Sequence, residues 1–339
     1  MEGSAAASAD VTQPRGGADG ALAERDRFRR EVLDGLERPQ RTLPSEWFYD
    51  EAGSRLFQRI MRLPGYYPTR VETAIFEQHA GAMLAAVPGD LSAVVDLGAG
   101  DGAKTSLLLA AARSRAASVV YAPVDVSRTA LSSAAQRMGA AWPDLPVRPI
   151  QAGYVAGLAQ AAVASVRGPL LAALLGSNLG NLEWTAAIDL LRALRLALRP
   201  GDCFLLGFDL LKDEAVLRAA YDDPEGVTAA FNLNLLARIN RELDGDFDLG
   251  SFRHRATFDP VRPAMESWLV STREQVVRVA GQPFALREGE ALQTEISWKY
   301  TEDQVDALAR AAGFEEIARF HDDARWFADA LWRVAPAAW

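Results

Sequence analysis

The stretch Val94-Val95-Asp96-Leu97-Gly98-Ala99-Gly100-Asp101-Gly102 decides the fold, because it joins a short apolar strand to a turn that contains three glycines. Glycine at positions 98, 100 and 102 allows a tight backbone turn and brings amide groups against a ligand that any Cβ would hold away. The helix expected from about Lys104 directs its N-terminus at the same place. This strand, turn and helix predict a loop that binds a small-molecule cofactor.

Two classes of cofactor are compatible with these glycines. The spacing Gly98-x-Gly100-x-x-Ala103 satisfies the relaxed dinucleotide fingerprint, and Asp125 lies near the distance expected for a ribose-binding acid. The form Asp-x-Gly-x-Gly-x-Gly, however, resembles the first motif of class I S-adenosylmethionine-dependent methyltransferases. A carboxylate at Asp96 would help to hold an amino-acid tail and a sulfonium, whereas it would repel a pyrophosphate. A nicotinamide oxidoreductase stays open as an alternative, although we find no hydride-handling site in the sequence.

The bulk composition limits the class of partner. At 339 residues the chain is long enough for one large domain or two ordinary ones. A net charge of -9 and a pI near 5.0 argue against nucleic acid or an anionic membrane as a partner, and no apolar run reaches the ~18 residues of a spanning helix. One cysteine, Cys203, and three scattered histidines offer neither a disulfide nor metal-ligand spacing. We expect a soluble, monomeric, cytoplasmic protein that acts on a small molecule without a metal.

Strands and helices alternate from residue 91 to 208, as a parallel sheet requires. The predicted strands cover residues 93–97, 118–124, 147–152, 169–175 and 202–208, and the predicted helices cover 104–113, 128–138, 155–164 and 185–198. This pattern predicts an α/β fold with a doubly wound, Rossmann-like sheet. Ligands bind at the carboxyl ends of the strands in such sheets, which is where Gly98, Asp125, Gly176 and Asp209 fall.

The alternation breaks at about residue 211 and returns at about residue 300. Within the break we predict helices over 213–221 and 227–243 and strands over 252–258, 266–272 and 275–279, and after it a helix over 301–312 and strands over 314–320 and 326–334. We therefore predict a disordered tail over 1–24, a discontinuous α+β substrate-binding domain from 25–70 plus 211–299, and a cofactor-binding domain from 71–210 plus 300–339.

Five further segments concentrate tyrosine, asparagine, glutamate and serine before the sheet, after its fourth strand and in the insertion. They are LPSEWFYD at 43–50, LPGYYPTR at 63–70, LGSNLGNL at 175–182, AYDD at 220–223 and TEISWKY at 294–300. In this order and spacing, from about Arg38 to the C-terminus, the chain resembles the histidine-specific Nα-methyltransferases of ergothioneine biosynthesis. The resemblance implies three methylations of the α-nitrogen of L-histidine by S-adenosylmethionine, which give the betaine hercynine. A member of the same family that acts on another, tryptophan-like amino acid is the alternative.

The resemblance also implies which residues bind the amino acid. Glu295 and Ser297 are two apart on a predicted strand, so their side chains share a face, and together they can grip both nitrogens of an imidazole. Asn181 would orient the substrate amine toward the methyl donor, and Tyr49 is implied as a second catalytic residue that donates to the substrate carboxylate. The remaining implied contacts come from Tyr221, to the carboxylate, and Tyr66, which would close the pocket.

On the cofactor side the resemblance implies binding through Gly98, Lys104 and Asp125, with Asp125 on the ribose hydroxyls. Gly153-Tyr154 stand where relatives carry Asp-Phe to bind the adenine, so the adenine amino group loses a side-chain acceptor. Near Glu266 the family places a long apolar side chain against the imidazole, whereas this chain has Ser267-Trp268. We therefore expect weaker cofactor binding and leave the selectivity for the ring open.

Overall fold

A computed structural model describes residues 18–114, 119–164 and 168–334 of the chain. In chain order its strands are β1 Ala93–Leu97, β2 Val120–Asp125, β3 Ile150–Gln151, β4 Leu170–Leu174, β5 Cys203–Asp209, β6 Phe252–Asp259, β7 Ala264–Ser271, β8 Gln275–Val279, β9 Gln282–Leu286, β10 Ala291–Trp298, β11 Phe314–His321 and β12 Phe327–Val334. Its α-helices are α1 Ala18–Glu37, α2 Glu51–Ile60, α3 Tyr67–Ala86, α4 Ala103–Arg113, α5 Arg128–Ala141, α6 Tyr154–Ala164, α7 Trp184–Leu196, α8 Glu214–Tyr221, α9 Val227–Glu242 and α10 Glu302–Ala312.

The main sheet has seven strands in the order β11-β12-β5-β4-β1-β2-β3. Strands β1 to β5 are parallel, while β12 runs antiparallel to both β5 and β11. Every residue of β1, β4 and β5 is buried, because apolar clusters cover both faces of the sheet. The predicted α/β doubly wound fold is confirmed, and its strand order reverses between β1 and β4, which creates the crevice where such folds bind ligands.

Two strands differ from the sequence prediction for reasons of backbone chemistry. The third strand was predicted over 147–152, but only Ile150–Gln151 pairs as a ladder. Pro146 and Pro149 flank Val147 and lack amide donors, which leaves that residue a single bridge to the neighbouring strand. Strand β9 was not predicted, because it contains a proline and its two-residue hairpin turn, Ala280-Gly281, begins with alanine at positive φ where asparagine, aspartate or glycine is usual.

The insertion forms a smaller sheet in the order β10-β7-β6, and the N-terminal segment joins it. Thr42 bridges Gln293 of β10, and the amide of Leu43 donates to the Gln293 carbonyl at 2.7 Å. Apolar side chains of α1, α2 and the Ser45–Phe48 turn share one buried cluster with those of α9, β7 and β10. These contacts bring the two predicted pieces of the substrate-binding domain together, and the domain limits themselves stay predictions.

Two helices cross the limits that the sequence indicated. Helix α1 begins at Ala18, so the predicted disordered tail is wrong over residues 18–24, while residues 1–17 lie outside the described chain. Helix α3 begins at Tyr67, before the predicted limit at residue 70, and its Ile75, Phe76 and Met83 pack under the main sheet. Across the described ranges, no helix is both long and apolar enough to cross a membrane.

Candidate active site

The glycine loop turns between β1 and α4 with Gly98, Gly100 and Gly102 all in the left-handed region, at φ values of 72°, 55° and 70°. The amide of Gly98 donates to the Val124 carbonyl at 2.8 Å, which ties the loop to the end of β2. A Cβ on Gly98 would lie 3.3 Å from the ring and the hydroxyl of Tyr154, while a Cβ on Gly100 would meet no described atom within 4 Å. Glycine is therefore required here by backbone conformation, and the loop leaves open space in front of its middle residue.

Asp96 supports this loop from beneath instead of contacting a ligand. Its side chain is 2% exposed, and it accepts hydrogen bonds from the Thr105 hydroxyl at 2.5 Å and the Tyr121 hydroxyl at 2.9 Å. Burial raises the pKa of the Asp96 carboxyl to about 6, against the opposing effect of these two donors. The expectation that this carboxylate helps to hold an amino-acid tail and a sulfonium is wrong, because the group is already enclosed.

Asp125 ends β2 and is the carboxylate that remains accessible at the cofactor edge. Its two oxygens accept from the amide of Gly100 at 3.1 Å and the amide of Ser127 at 2.8 Å. Burial raises the pKa of this carboxyl above its ordinary value, although the backbone donors oppose the shift. Each carboxylate oxygen keeps a further lone pair, so the geometry fits two ribose hydroxyls.

Lys104 and Gly153-Tyr154 complete the cofactor edge. Lys104 reaches from the first turn of α4 to an ion pair with Glu72 of α3, and Glu72 also accepts the amide of Gly176 at 2.7 Å. Burial and the Asp125 carboxylate raise the pKa of Tyr154 to about 12, so its hydroxyl is a proton donor at neutral pH. A Cβ on Gly153 would meet no described atom within 4 Å, so nothing visible replaces the acidic side chain that relatives carry.

All six predicted substrate-binding or catalytic residues line a single cavity at the carboxyl ends of β4 and β5. They are Tyr49, Tyr66, Asn181, Tyr221, Glu295 and Ser297, and the other lining residues are Phe57, Ile60, Pro68, Gly176, Ser177, Asn178, Asp209, Ala220, Thr228 and Phe231. Asn178 connects this cavity to the cofactor edge, because its amide nitrogen lies 3.6 Å from where a Cβ on Gly98 would stand. The structure thus brings the predicted residues together, and their individual roles stay predictions.

Glu295 and Ser297 lie on one face of β10, as their spacing predicted. Glu295 stands opposite Ser267 of β7, whose hydroxyl lies 3.3 Å from the Glu295 carboxylate. Burial raises the pKa of the Glu295 carboxyl to about 7, partly opposed by the ammonium of Lys299 and by the Ser267 hydroxyl. The cavity therefore holds a carboxyl group that changes its charge near neutral pH.

Met265 of β7 is a long apolar side chain on the same face of the smaller sheet as Ser297. It stands opposite Ser297, is fully buried, and packs in the same apolar cluster as Tyr66 and Tyr221. Trp268 lies on the other face of β7 and donates its indole N–H to a threonine hydroxyl at 2.7 Å. Ser267, and not Trp268, therefore stands beside Glu295, and the selectivity of the cavity for an imidazole ring stays a prediction.

The polar groups of Tyr49, Tyr66 and Asn181 are available to a ligand. Among the described residues, the structure gives neither phenol oxygen nor the Asn181 amide a hydrogen-bond partner. The ring of Tyr49 is held edge-on by Phe57 and Phe231, at centroid distances of 5.5 and 5.7 Å. Burial raises the pKa of both tyrosines well above the ordinary value, so they enter the cavity as hydrogen-bond donors.

At the floor of the cavity lies a buried charge cluster of Asp209, Lys212 and Lys299. The sequence analysis placed Asp209 at the ligand-binding edge of the sheet but assigned neither lysine to the site. The Lys299 ammonium donates to Asp209 at 2.9 Å and to the hydroxyls of Tyr221 and Ser297, both at 2.8 Å. Lys212 forms an ion pair with the other oxygen of Asp209. Burial raises the pKa of the Asp209 carboxyl, but the two ammonium groups outweigh it and hold the pKa below its ordinary value.

Two signals in the sequence could have located these buried charges. Lys299 continues the two-residue period of Glu295 and Ser297 along the same strand, so it had to share their face. Glu72 occupies the helical spacing of the buried residues Ile75 and Phe76, where a charged residue needs a partner.

No cluster of three or more His, Cys, Asp or Glu that could hold a metal ion occurs in the described part of the chain.

A family model described as histidine-specific, SAM-dependent methyltransferase matches residues 28–334. The histidine N-alpha-methyltransferase of Mycobacterium tuberculosis is 39% identical over 88% of this chain and 92% of its own length. Ergothioneine biosynthesis protein 1 of Neurospora crassa is 28% identical over 83% of this chain and 32% of that protein. The L-tryptophan methyltransferase trpM of Psilocybe serbica is 25% identical over 87% of this chain and 90% of its own.

Among solved structures, the glycopeptide N-methyltransferase MtfA in complex with S-adenosylmethionine aligns with a TM-score of 0.40 at 17% identity, over 77% of this chain and 94% of its own. The family match over most of the chain decides between the two cofactor classes left open by the glycine spacing. The chain belongs to the SAM-dependent, histidine-specific methyltransferase family, and it is a methyltransferase with S-adenosylmethionine as its co-substrate.

Proposed function

We propose that this methyltransferase converts L-histidine to Nα,Nα,Nα-trimethyl-L-histidine (hercynine), in three successive methylations, for ergothioneine biosynthesis. The observation that carries the proposal is the shared face of Glu295 and Ser297 in a cavity that also holds Asn181 and adjoins the glycine loop. The names of the relatives from Mycobacterium tuberculosis and Neurospora crassa support the same substrate and pathway.

Glu295 and Ser297 suit the two edges of a neutral imidazole. One ring nitrogen carries a proton and the other a lone pair, so the ring needs an acceptor on one side and a donor on the other. The Glu295 carboxylate supplies the acceptor, and the Ser297 hydroxyl supplies the donor. A phenylalanine ring would leave both groups unpaired in a buried site, which disfavours it strongly.

The α-amino and carboxylate groups of the substrate would be held by the other polar side chains of the cavity. The amide oxygen of Asn181 can accept a hydrogen bond from the amine and turn the nitrogen lone pair toward the methyl group. Tyr221 and Tyr49 would donate to the carboxylate, and Tyr66 would close the cavity over the substrate. Because the Asn181 amide and the Tyr49 and Tyr66 hydroxyls have no other partner within the described residues, they need not break an existing bond to do so.

The transfer itself needs alignment more than acid or base chemistry. S-adenosylmethionine supplies a methyl group already activated by its sulfonium, and the N–C bond forms as the C–S bond breaks, with its electron pair left on sulfur. The amine must be neutral at attack, so one proton leaves before each transfer. After the third transfer the nitrogen is quaternary and has no lone pair, so the reaction stops, and tyrosine faces can stabilise the resulting cation.

A time course followed by mass spectrometry tests the proposal. Purified protein with S-adenosylmethionine and L-histidine should give products with one, two and then three methyl groups, and none with four. Accumulation of a singly methylated product alone would contradict the trimethylation. Methylation of tryptophan in place of histidine would transfer the proposal to the other substrate class that the family contains.

A further inference from the structure

Lys299 follows β10 on the same face as Glu295 and Ser297, but it lies below the cavity. Its side chain is fully buried, and it is not part of the cavity wall. A lysine ammonium has three N–H donors, and here all three are used, on Asp209, Tyr221 and Ser297. Among the hydrogen bonds of this ammonium, only those to the two hydroxyls reach side chains that are predicted to contact the substrate.

The hydrogen bonds from Lys299 determine where the hydroxyl protons of Tyr221 and Ser297 can point. Each hydroxyl oxygen accepts one N–H from Lys299, and the two oxygens lie 2.7 Å apart, joined by one hydroxyl proton. Tyr221 donates its proton to Ser297, so the Ser297 hydroxyl proton has no partner among the described residues, and both side chains line the cavity. When a substrate takes the place of the mutual bond, both protons can turn outward, because Lys299 continues to occupy a lone pair on each oxygen.

The charge behind these hydroxyls favours an anion in front of them. Lys299 and Lys212 share one carboxylate, Asp209, which also accepts a hydrogen bond from Tyr67 at 2.8 Å. The Lys299 ammonium also lies 4.7 Å from the centroid of the Tyr221 ring. A hydroxyl that accepts from an ammonium is a stronger donor, and its strongest natural acceptor on an amino acid is the carboxylate.

We propose that Lys299 is a positioning residue that fixes Tyr221 and Ser297 as hydrogen-bond donors toward the substrate, and so makes a free carboxylate on the amino acid necessary for tight binding. This inference rests on the proposed histidine substrate and adds the reason why an amine without a carboxylate is excluded. Tyr221 is the hydroxyl that meets the carboxylate, and Ser297 remains on the ring.

The test compares L-histidine with histamine, which keeps the ring and the amine but has no carboxylate. In Lys299→Met, Asp209 keeps Lys212 and Tyr67, so the variant leaves no buried carboxylate without a partner. The preference for histidine over histamine, taken as the ratio of their kcat/KM values, should fall by about tenfold to 100-fold, the effect of hydrogen bonds to a charged group. If histamine is not methylated, its inhibition constant, measured in competition with histidine, is used in place of its kcat/KM.

A purely structural role for Lys299 gives a different result. It would lower kcat/KM for both compounds by the same factor and leave their ratio unchanged, and that result would overturn the inference. Binding of S-adenosylhomocysteine and the melting temperature establish that the variant is folded, and Lys299→Gln, which keeps an N–H donor without the charge, is the second variant and should retain part of the preference. If the wild-type protein does not methylate histidine, the proposed function fails and this inference fails with it.

Discussion

The glycine loop and the substrate cavity meet at the same edge of the sheet, yet they are built in different ways. The loop is one continuous stretch, residues 96–105, whose geometry comes from positive φ angles and backbone amides tied to the end of β2. The cavity takes its six predicted polar side chains from five separate segments, between Tyr49 and Ser297, and holds them with side-chain contacts. A site made of backbone is encoded locally, whereas a site made of side chains depends on the whole fold.

The aspartates of the two regions have different partners. Asp96 and Asp125 at the cofactor edge are held by hydroxyl and amide donors, and burial raises the pKa of each. Asp209 below the cavity is held by two lysines, and its pKa is lowered. The cavity therefore has the Lys299 ammonium directly behind the hydroxyls of Tyr221 and Ser297, whereas the Lys104 ammonium at the cofactor edge is paired with Glu72.

If the two regions are built separately, they should fail separately. Glu295→Ala should lower kcat/KM for histidine by about 100-fold, because it removes a buried charged hydrogen bond, and leave the Kd of S-adenosylhomocysteine within about twofold. Asp125→Ala should weaken S-adenosylhomocysteine by about 30-fold and change KM for histidine little. Steady-state kinetics and calorimetry measure both constants, with the exposed Glu288→Gln as the control. If either variant changed the kinetic constant for histidine and the Kd of S-adenosylhomocysteine by the same factor, that result would contradict the separation of the two regions.

Two neighbouring asparagines of the cavity, Asn181 and Asn178, should differ in function, because the first is expected to orient the substrate amine and the second to support the backbone. Asn181→Ala should lower kcat by about 30-fold with a small change in KM, because the amine loses its alignment and not its main binding contacts. Asn178→Ala is the matched variant, since its amide donates to the Leu175 carbonyl at 2.8 Å, and we expect it to lower the melting temperature more than kcat. Equal losses of kcat in the two variants would count against an orienting role for Asn181.

The pKa of about 7 at Glu295 predicts that the binding of histidine depends on pH. Below pH 7 the carboxyl becomes protonated and stops accepting from the ring, so KM for histidine should rise by about tenfold per pH unit. Glu295→Gln should remove this part of the pH dependence of KM. Titration of the substrate affects both proteins equally, so the difference between their KM profiles reports the titration of Glu295. A parallel rise of KM in both proteins would be evidence against the assigned group.

The same group has an effect of opposite sign on stability. Its pKa in the folded protein lies above the ordinary value of 4.5, so the folded state binds more protons and the free energy of unfolding falls as pH rises from about 4.5 to about 7. Glu295→Gln should therefore melt at a higher temperature than wild type at pH 8, by a few degrees, with no difference below pH 4.5. Melting curves across this range check the prediction, and a lower melting temperature at pH 8 would contradict it.

A small gain of function is expected at the cofactor edge. Gly153 precedes α6 without a positive φ, and a side chain there meets open space, so Gly153→Asp should restore an acceptor for the adenine amino group. We expect the Kd of S-adenosylmethionine to fall by about fivefold, as for one added hydrogen bond. Gly153→Ser can also cap the helix but is too short to reach the base, and it should leave the Kd unchanged. If both variants lowered the Kd of S-adenosylmethionine equally, the effect would come from capping of the helix and not from a hydrogen bond to adenine.

The sequence predicted the fold well because the alternation of buried strands and amphipathic helices repeats through residues 91–208. The glycines predicted where the cofactor edge lies. The prediction that Asp96 contacts the ligand was wrong, because nothing in the motif shows that Thr105 and Tyr121 enclose this residue. The cavity residues were found through family resemblance, and their contacts were not. Met265 was not singled out because the face on which it lies depends on strand register, where a shift of one residue exchanges the two faces.

The buried charges were harder to predict, because an ion pair such as Lys104 with Glu72, or Lys299 with Asp209, joins residues 32 and 90 positions apart. Only the packing of α3 against α4, and the bridge between Leu210 and Tyr300 just beyond β5 and β10, decide these partners. Local patterns reveal that a charged residue lies on a buried face, but they do not reveal which opposite charge lies across from it.

The most direct test of the account is a competition among the twenty common amino acids for one supply of S-adenosylmethionine, with products identified by mass spectrometry for wild type and Glu295→Ala. We predict that wild type methylates histidine up to three times and leaves the others unmodified, and that the variant loses this preference while still binding S-adenosylhomocysteine. Wild-type methylation of another amino acid, or an unchanged histidine preference in the variant, would contradict the account.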